Sequence, residues 1–139
     1  MAEKVWLTIT GIQKGIQEEP PVVLQTEGQY IKKGNTHYLF YTERTEEGVS
    51  VKNRLTVAPD YVELRKSGIG DSILKFREGR AEQCRYQSPA GPMEMVSTTQ
   101  KIQISHGDGC FKLFMVYALH MNDVLVSDYH LSAEARFFS

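Results

Sequence analysis

Cys110-Phe111-Lys112-Leu113-Phe114-Met115-Val116-Tyr117-Ala118-Leu119-His120-Met121 reads as one long extended strand. Phe111, Leu113, Met115, Tyr117, Leu119 and Met121 share one face, and Cys110, Lys112, Phe114, Val116, Ala118 and His120 share the other. A period of two puts successive side chains on opposite sides of a strand; a helix would need a period near 3.6. After Asn122-Asp123, a second run sets Leu125, Tyr129, Leu131, Ala133, Ala135 and Phe137 against Asp128, His130, Ser132, Glu134 and Arg136. Two alternating runs around a short polar turn predict a hairpin with one apolar face.

The same alternation extends back to the start of the chain. Val5, Leu7 and Ile9 alternate with Lys4, Thr8 and Thr10. Residues 22–32 continue as a second strand, with Gly28 marking a bulge or a barrel corner. Gly34-Asn35 turns the chain into the aromatic-rich run Thr36–Glu43. Val49, Val51, Leu55 and Val57 give the next strand its apolar face, and Pro59-Asp60 ends it. Tyr61–Lys66 and Ile69–Phe76 follow, joined around Ser67-Gly68. Residues 80–87 and 93–104 flank the turn cluster Ser88-Pro89-Ala90-Gly91-Pro92, and Gly107-Asp108-Gly109 makes a tight turn. No segment reads as a helix. The expected fold is an all-β, antiparallel, up-and-down barrel of eight to ten strands over residues 1–139, since closure removes exposed sheet edges.

The 139 residues suffice to bury roughly two-thirds of the unfolded surface in a core without metal or disulfide staples. A formal net charge of −1 and the absence of basic runs argue against nucleic acid as a partner and against docking on anionic lipid. No apolar run approaches the ~20 residues that span a bilayer. Residues 1–10 lack the pattern of a signal peptide, so the expected location is the cytoplasm. Cys84 and Cys110 then read as free thiols, and two thiols cannot close a structural zinc site. Net charge near zero is compatible with a homodimer.

A family resemblance rests on an ordered series of short motifs. These are Gly28-Gln29-Tyr30, Tyr38-Leu39-Phe40-Tyr41-Thr42-Glu43, Arg65 before Gly68, Phe76-Arg77-Glu78-Gly79 and Tyr86-Gln87-Ser88-Pro89-Ala90-Gly91. Thr98-Thr99 ahead of Ile102 and the strand Phe111–Leu119 complete it. In this order the chain resembles the YwiB-like family, small bacterial proteins of unknown function with a lipocalin-like (calycin-type) barrel. The likeness covers nearly the whole chain and implies the fold. It carries no activity, substrate or catalytic residue. One departure is that both Lys66 and Ser67 separate Arg65 from Gly68, where the family has a single residue, so the turn after Arg65 is one residue longer.

Asp128, His130 and Ser132 share a strand face, but residues two apart are about 6.6 Å apart along a strand, too far for the serial contacts of a triad. Their companions Glu134 and Arg136 mark that face as the solvated outside. The histidines 37, 106, 120 and 130 show no metal-ligand spacing, and pairing about Asn122-Asp123 sets His120 opposite a residue near Leu125 rather than His130. Gly68-Ile69-Gly70 and Gly107-Asp108-Gly109 open no helix and read as hairpin turns, not phosphate loops. No cofactor or metal is expected.

The hairpin of residues 80–104 has no cleanly apolar face. Folded about Ala90, it sets Tyr86 opposite Glu94, Cys84 opposite Val96, Glu82 opposite Thr98 and Arg80 opposite Gln100. Inward polar groups left unpaired cost about 1–3 kcal/mol each, so they pair with one another, hold water or meet a ligand. The ligand reading makes Arg80, Glu82, Tyr86, Thr98, Gln100 and Tyr117 the candidate binding residues, with Phe111–Met121 as the apolar wall. Three functions follow. The first is a non-enzymatic barrel binding a small, apolar or amphipathic ligand in its interior. The second is a protein-interaction module with a filled core. The third is a small enzyme built on a mouth carboxylate such as Glu43 or Glu82.

Overall fold

A computed structural model describes residues 2–14, 20–68, 70–88 and 90–138, with the side chain of Ser88 excepted. Ile69 and Pro89, inside two of the expected turns, lie outside the described residues. The described residues form ten strands: β1 (Glu3–Lys14), β2 (Val22–Lys33), β3 (Thr36–Arg44), β4 (Ser50–Val57), β5 (Val62–Gly68), β6 (Gly70–Phe76), β7 (Ala81–Ser88), β8 (Gly91–Gly107), β9 (Cys110–Met121) and β10 (Val124–Phe137). Each pairs antiparallel with its sequence neighbours, and β1 pairs with β10, so the sheet closes into the expected up-and-down barrel. No described helix is long and apolar enough to cross a membrane.

Alternation fills the interior. Val5 and Leu7 of β1, Leu39 of β3, Leu55 and Val57 of β4, Phe76 of β6, and Phe111, Leu113 and Met115 of β9 are all at or below 2% exposed. Burying each such side chain contributes about 1.5–3 kcal/mol. Gly28 is neither bulged nor in an unusual conformation. A Cβ there would stand 2.6 Å from Leu7 Cδ1 and 2.7 Å from the Phe40 carbonyl oxygen. The glycine is required by close approach between β1, β2 and β3.

Two irregularities re-aim side chains. The β8–β9 register slips between Thr99 and Lys101, so Thr99 and Ile102, rather than Thr99 and Lys101, face inward. A second slip between Leu125 and Ser127 turns Leu125 out to 52% exposure, off the apolar face assigned to it from the sequence. His120 pairs with Leu125, as the turn predicts. Asp128, His130 and Ser132 lie on the outer face, opposite Tyr129, Leu131 and Ala133.

The β7–β8 hairpin corrects the sequence reading. Ser88 pairs with Gly91, so the loop has two residues instead of three. Tyr86 therefore meets Met93, Cys84 meets Met95, Glu82 meets Ser97 and Ala81 meets Thr98. A shift of one residue exchanges the faces of one strand relative to the other. Thr98 and Gln100 are consequently exposed on the outside, while Ser97 and Thr99 are buried inside.

Candidate functional site

The meander gives the barrel two unlike ends. One end carries the β2–β3, β4–β5, β6–β7 and β8–β9 turns. Tyr30, His37, Phe111 and Phe137 cluster there, with ring centroids 4.6–6.0 Å apart where they touch, and beside them a concavity of about 220 Å³ is bordered by Ala58, Tyr61, Glu78, Ile102 and Ile104. The Tyr30 hydroxyl and His37 Nδ1 are 2.6 Å apart, and His106 approaches to a centroid distance of 5.4 Å. Burial chiefly, with the charges of His106 and Lys32, holds the His37 pKa below its ordinary value.

The opposite end is hollow. An inner hollow of about 170 Å³ is walled by Ile9, Leu24, Leu55, Leu64 and Leu131, with Gly11 and Val22 nearer the rim. An outer hollow of about 350 Å³ adjoins it, bordered by Arg44, Val51, Ser72, Tyr86 and Gln87. Glu43 and Lys66 border both.

The register explains why these side chains meet. Tyr41 pairs with Asn53, Asn53 with Lys66 and Lys66 with Ser72, which makes a polar row across the inner wall of β3–β6. Glu43 lies two residues beyond Tyr41 on the same face. Its Oε1 accepts a hydrogen bond from Lys66 Nζ at 3.1 Å, with both side chains about one-third exposed. Ser72 Oγ accepts the Gln87 amide at 3.0 Å. Asn53 is 3% exposed and donates from Nδ2 to the Val51 carbonyl, but its Oδ1 has no partner among the described residues. Burial, with the Glu43 charge, pushes the Tyr41 hydroxyl far above its usual range and keeps it a donor at any physiological pH.

The sequence-derived candidates do not converge. Tyr86 borders the outer hollow. Glu82 lies four residues away along β7, about 13 Å at ~3.3 Å per residue, and its Oε1 is 2.9 Å from Arg77 Nε. Arg80 is exposed in the β6–β7 turn, where its amide donates to the Arg77 carbonyl. Thr98 and Gln100 face out. Tyr117 is packed in the core, its ring 4.5 Å from Phe76 and 5.3 Å from Tyr129. The polar groups inside β7–β8 are largely tied to β6. Ser97 Oγ donates to the Lys75 carbonyl at 2.5 Å, and the Lys75 amide donates to Cys84 Sγ at 3.3 Å. Thr99 Oγ1 has no partner among the described residues.

Of the two mouth carboxylates considered from the sequence, Glu43 is at the hollow mouth and Glu82 is toward the aromatic end. Lys66, Asn53 and Tyr41 were missed as site residues. Their signal was available: Asn53 interrupts the apolar face of β4, and Lys66 follows Val62 and Leu64 at the same parity.

A larger concavity, about 690 Å³, lies elsewhere, on the outer surface of β1, β8, β9 and β10. It is bordered by outward groups such as Thr8, Thr10, Lys112 and Ser132, and Glu134 is already paired with Arg136 at 2.6 Å. These groups face solvent, so the interior mouth is the better-built site. Cys84 and Cys110 are both free thiols. Among the described residues, no group of three or more His, Cys, Asp or Glu is placed to hold a metal ion.

Fold and mouth together define a lipocalin-like, ten-stranded barrel with an aromatic cluster near one end and a polar-throated hollow at the other. The chain belongs to the family described as Domain of unknown function (DUF1934), which matches residues 7–132. Among solved structures it is similar to the ywiB protein from Bacillus subtilis, with a TM-score of 0.87 and 20% identity over 99% of this chain and 94% of that one. That likeness bears out the YwiB-like resemblance and the barrel. No curated protein matches the sequence.

Proposed function

We propose that the chain is a binding protein for a small, partly apolar molecule held in the barrel mouth between Glu43–Lys66 and the aliphatic wall of Ile9, Leu24, Leu64 and Leu131. The observation that carries this reading is the pair of adjoining hollows that share Glu43 and Lys66. Ligand sites combine apolar walls with a few convergent polar groups, and this mouth has both. Eight or more strands enclose enough interior for one small molecule.

Gly11 supplies the test. It lies on the inward face of β1 beside Ile9, and a Cβ built there meets nothing within 4 Å. Gly11→Leu should fill the hollow without strain and leave stability equal or higher, since glycine weakens a strand interior. An amide NMR titration of the full chain with isoamyl alcohol should give saturable shifts around Ile9, Leu24, Leu64 and Leu131. Those shifts should vanish in Gly11→Leu. Shifts that never saturate, or that persist unchanged in the filled variant, would overturn the proposal.

A further inference from the structure

The throat of the mouth presents one anion and one cation side by side. The Glu43–Lys66 contact uses a single carboxylate oxygen, Oε1, and a single ammonium N–H. Glu43 Oε2 and two N–H donors of Lys66 remain, on side chains that border both hollows. A head group with only a negative charge would gain Lys66 and meet the Glu43 charge next to it. A head group with only a positive charge would gain Glu43 and meet Lys66. Like charges at such spacing repel, and the partly buried throat screens them less than bulk water does. A head carrying both signs satisfies both residues.

The inner hollow sets the other half of the ligand. At about 170 Å³ it has the volume of ~5 or 6 waters, at ~30 Å³ each in the liquid. It suits one short branched or small cyclic apolar group and is too small for a long acyl chain. Leu24, Leu55, Leu64 and Leu131 make most of its wall, and Tyr41 borders it as well.

We infer that the mouth recognises a small zwitterion of the α-amino-acid class with an apolar side chain. The side chain enters the inner hollow, the ammonium meets Glu43 and the carboxylate meets Lys66. This rests on the reading of the mouth as a ligand site and names the class of ligand.

The test compares four probes of nearly one shape on the full chain by calorimetry or amide NMR: L-leucine, isocaproate, which lacks the ammonium, isoamylamine, which lacks the carboxylate, and neutral isoamyl alcohol. Leucine should bind about tenfold tighter than either singly charged probe. Glu43→Gln should erase its advantage over isocaproate, and Lys66→Met its advantage over isoamylamine. If a singly charged probe binds within about twofold of leucine while the alcohol still saturates the mouth, the zwitterion inference falls and the ligand site stands. If none of the four binds, both fall. The probe series on the unaltered chain decides the matter even where a substitution at Lys66 or Glu43 impairs folding.

Discussion

His37 is a titratable ring kept in the aromatic cluster of a barrel, and its surroundings favour the neutral form. Burial is the main cause, and His106 and Lys32 add to it. With the ring proton on Nε2, Nδ1 accepts the Tyr30 hydroxyl at 2.6 Å. The folded pKa lies below the unfolded value of ~6.5, so below that pH the unfolded chain binds more protons than the folded one. Stability should therefore fall as pH drops from about 6.5 through the folded pKa and level off beneath it. His37→Gln keeps an acceptor for Tyr30 and should flatten that part of the curve. Urea unfolding from pH 7.5 to 4.5 checks this, and parallel curves for the two proteins would rule it out. The meeting of His37 and His106 was not legible in the sequence, because 69 positions separate them. By contrast, Asn53 and Lys66 did announce themselves as polar interruptions of inward faces. An alternating pattern marks the buried parity, and an ionisable group at that parity is worth pursuing before an outward one.

At the scale of elements, register decides more than composition. Five turn-forming residues, Ser88 to Pro92, mark a hairpin turn, but composition does not say which two form the loop. Choosing a three-residue loop set Thr98 and Gln100 inside; the two-residue loop puts Ser97 and Thr99 there. The bulge near Gln100 then changes parity again, a feature no local residue pattern demanded. Beyond that bulge, β8 runs on past the start of β7, and its far side faces the β6–β7 turn instead of a strand. Glu78 covers this seam, its Oε1 accepting the Ile102 amide at 2.9 Å in place of a strand carbonyl. A charged group on a strand edge also discourages pairing with other chains. Glu78→Ala should cost about 1 kcal/mol, whereas Glu78→Gln, which keeps the oxygen, should cost less. Sedimentation should also show more self-association for the alanine variant. Equal stability and equal monomer content for all three proteins would show that Glu78 does not guard the seam.

At the scale of the molecule, ten alternating strands with short connections leave little choice but a closed meander, and so the barrel was legible throughout. Which end is hollow was not. That depends on how side chains from ten strands tile a shared interior, and the tiling follows from registers set by individual turns and bulges. Large rings gather where Tyr30, His37, Phe111 and Phe137 meet. Gly11 and the aliphatic groups near it leave space at the opposite end. The two ends therefore differ in kind, an aromatic cluster at one and an apolar hollow beneath a polar throat at the other. Apolar cavities of about 150 Å³ take up xenon, so crystals under xenon pressure test this difference directly. The unaltered protein should show a xenon atom among Ile9, Leu24, Leu64 and Leu131, and Gly11→Leu should show none there. No xenon at that position, or xenon at the Phe111–His37 end instead, would contradict the account.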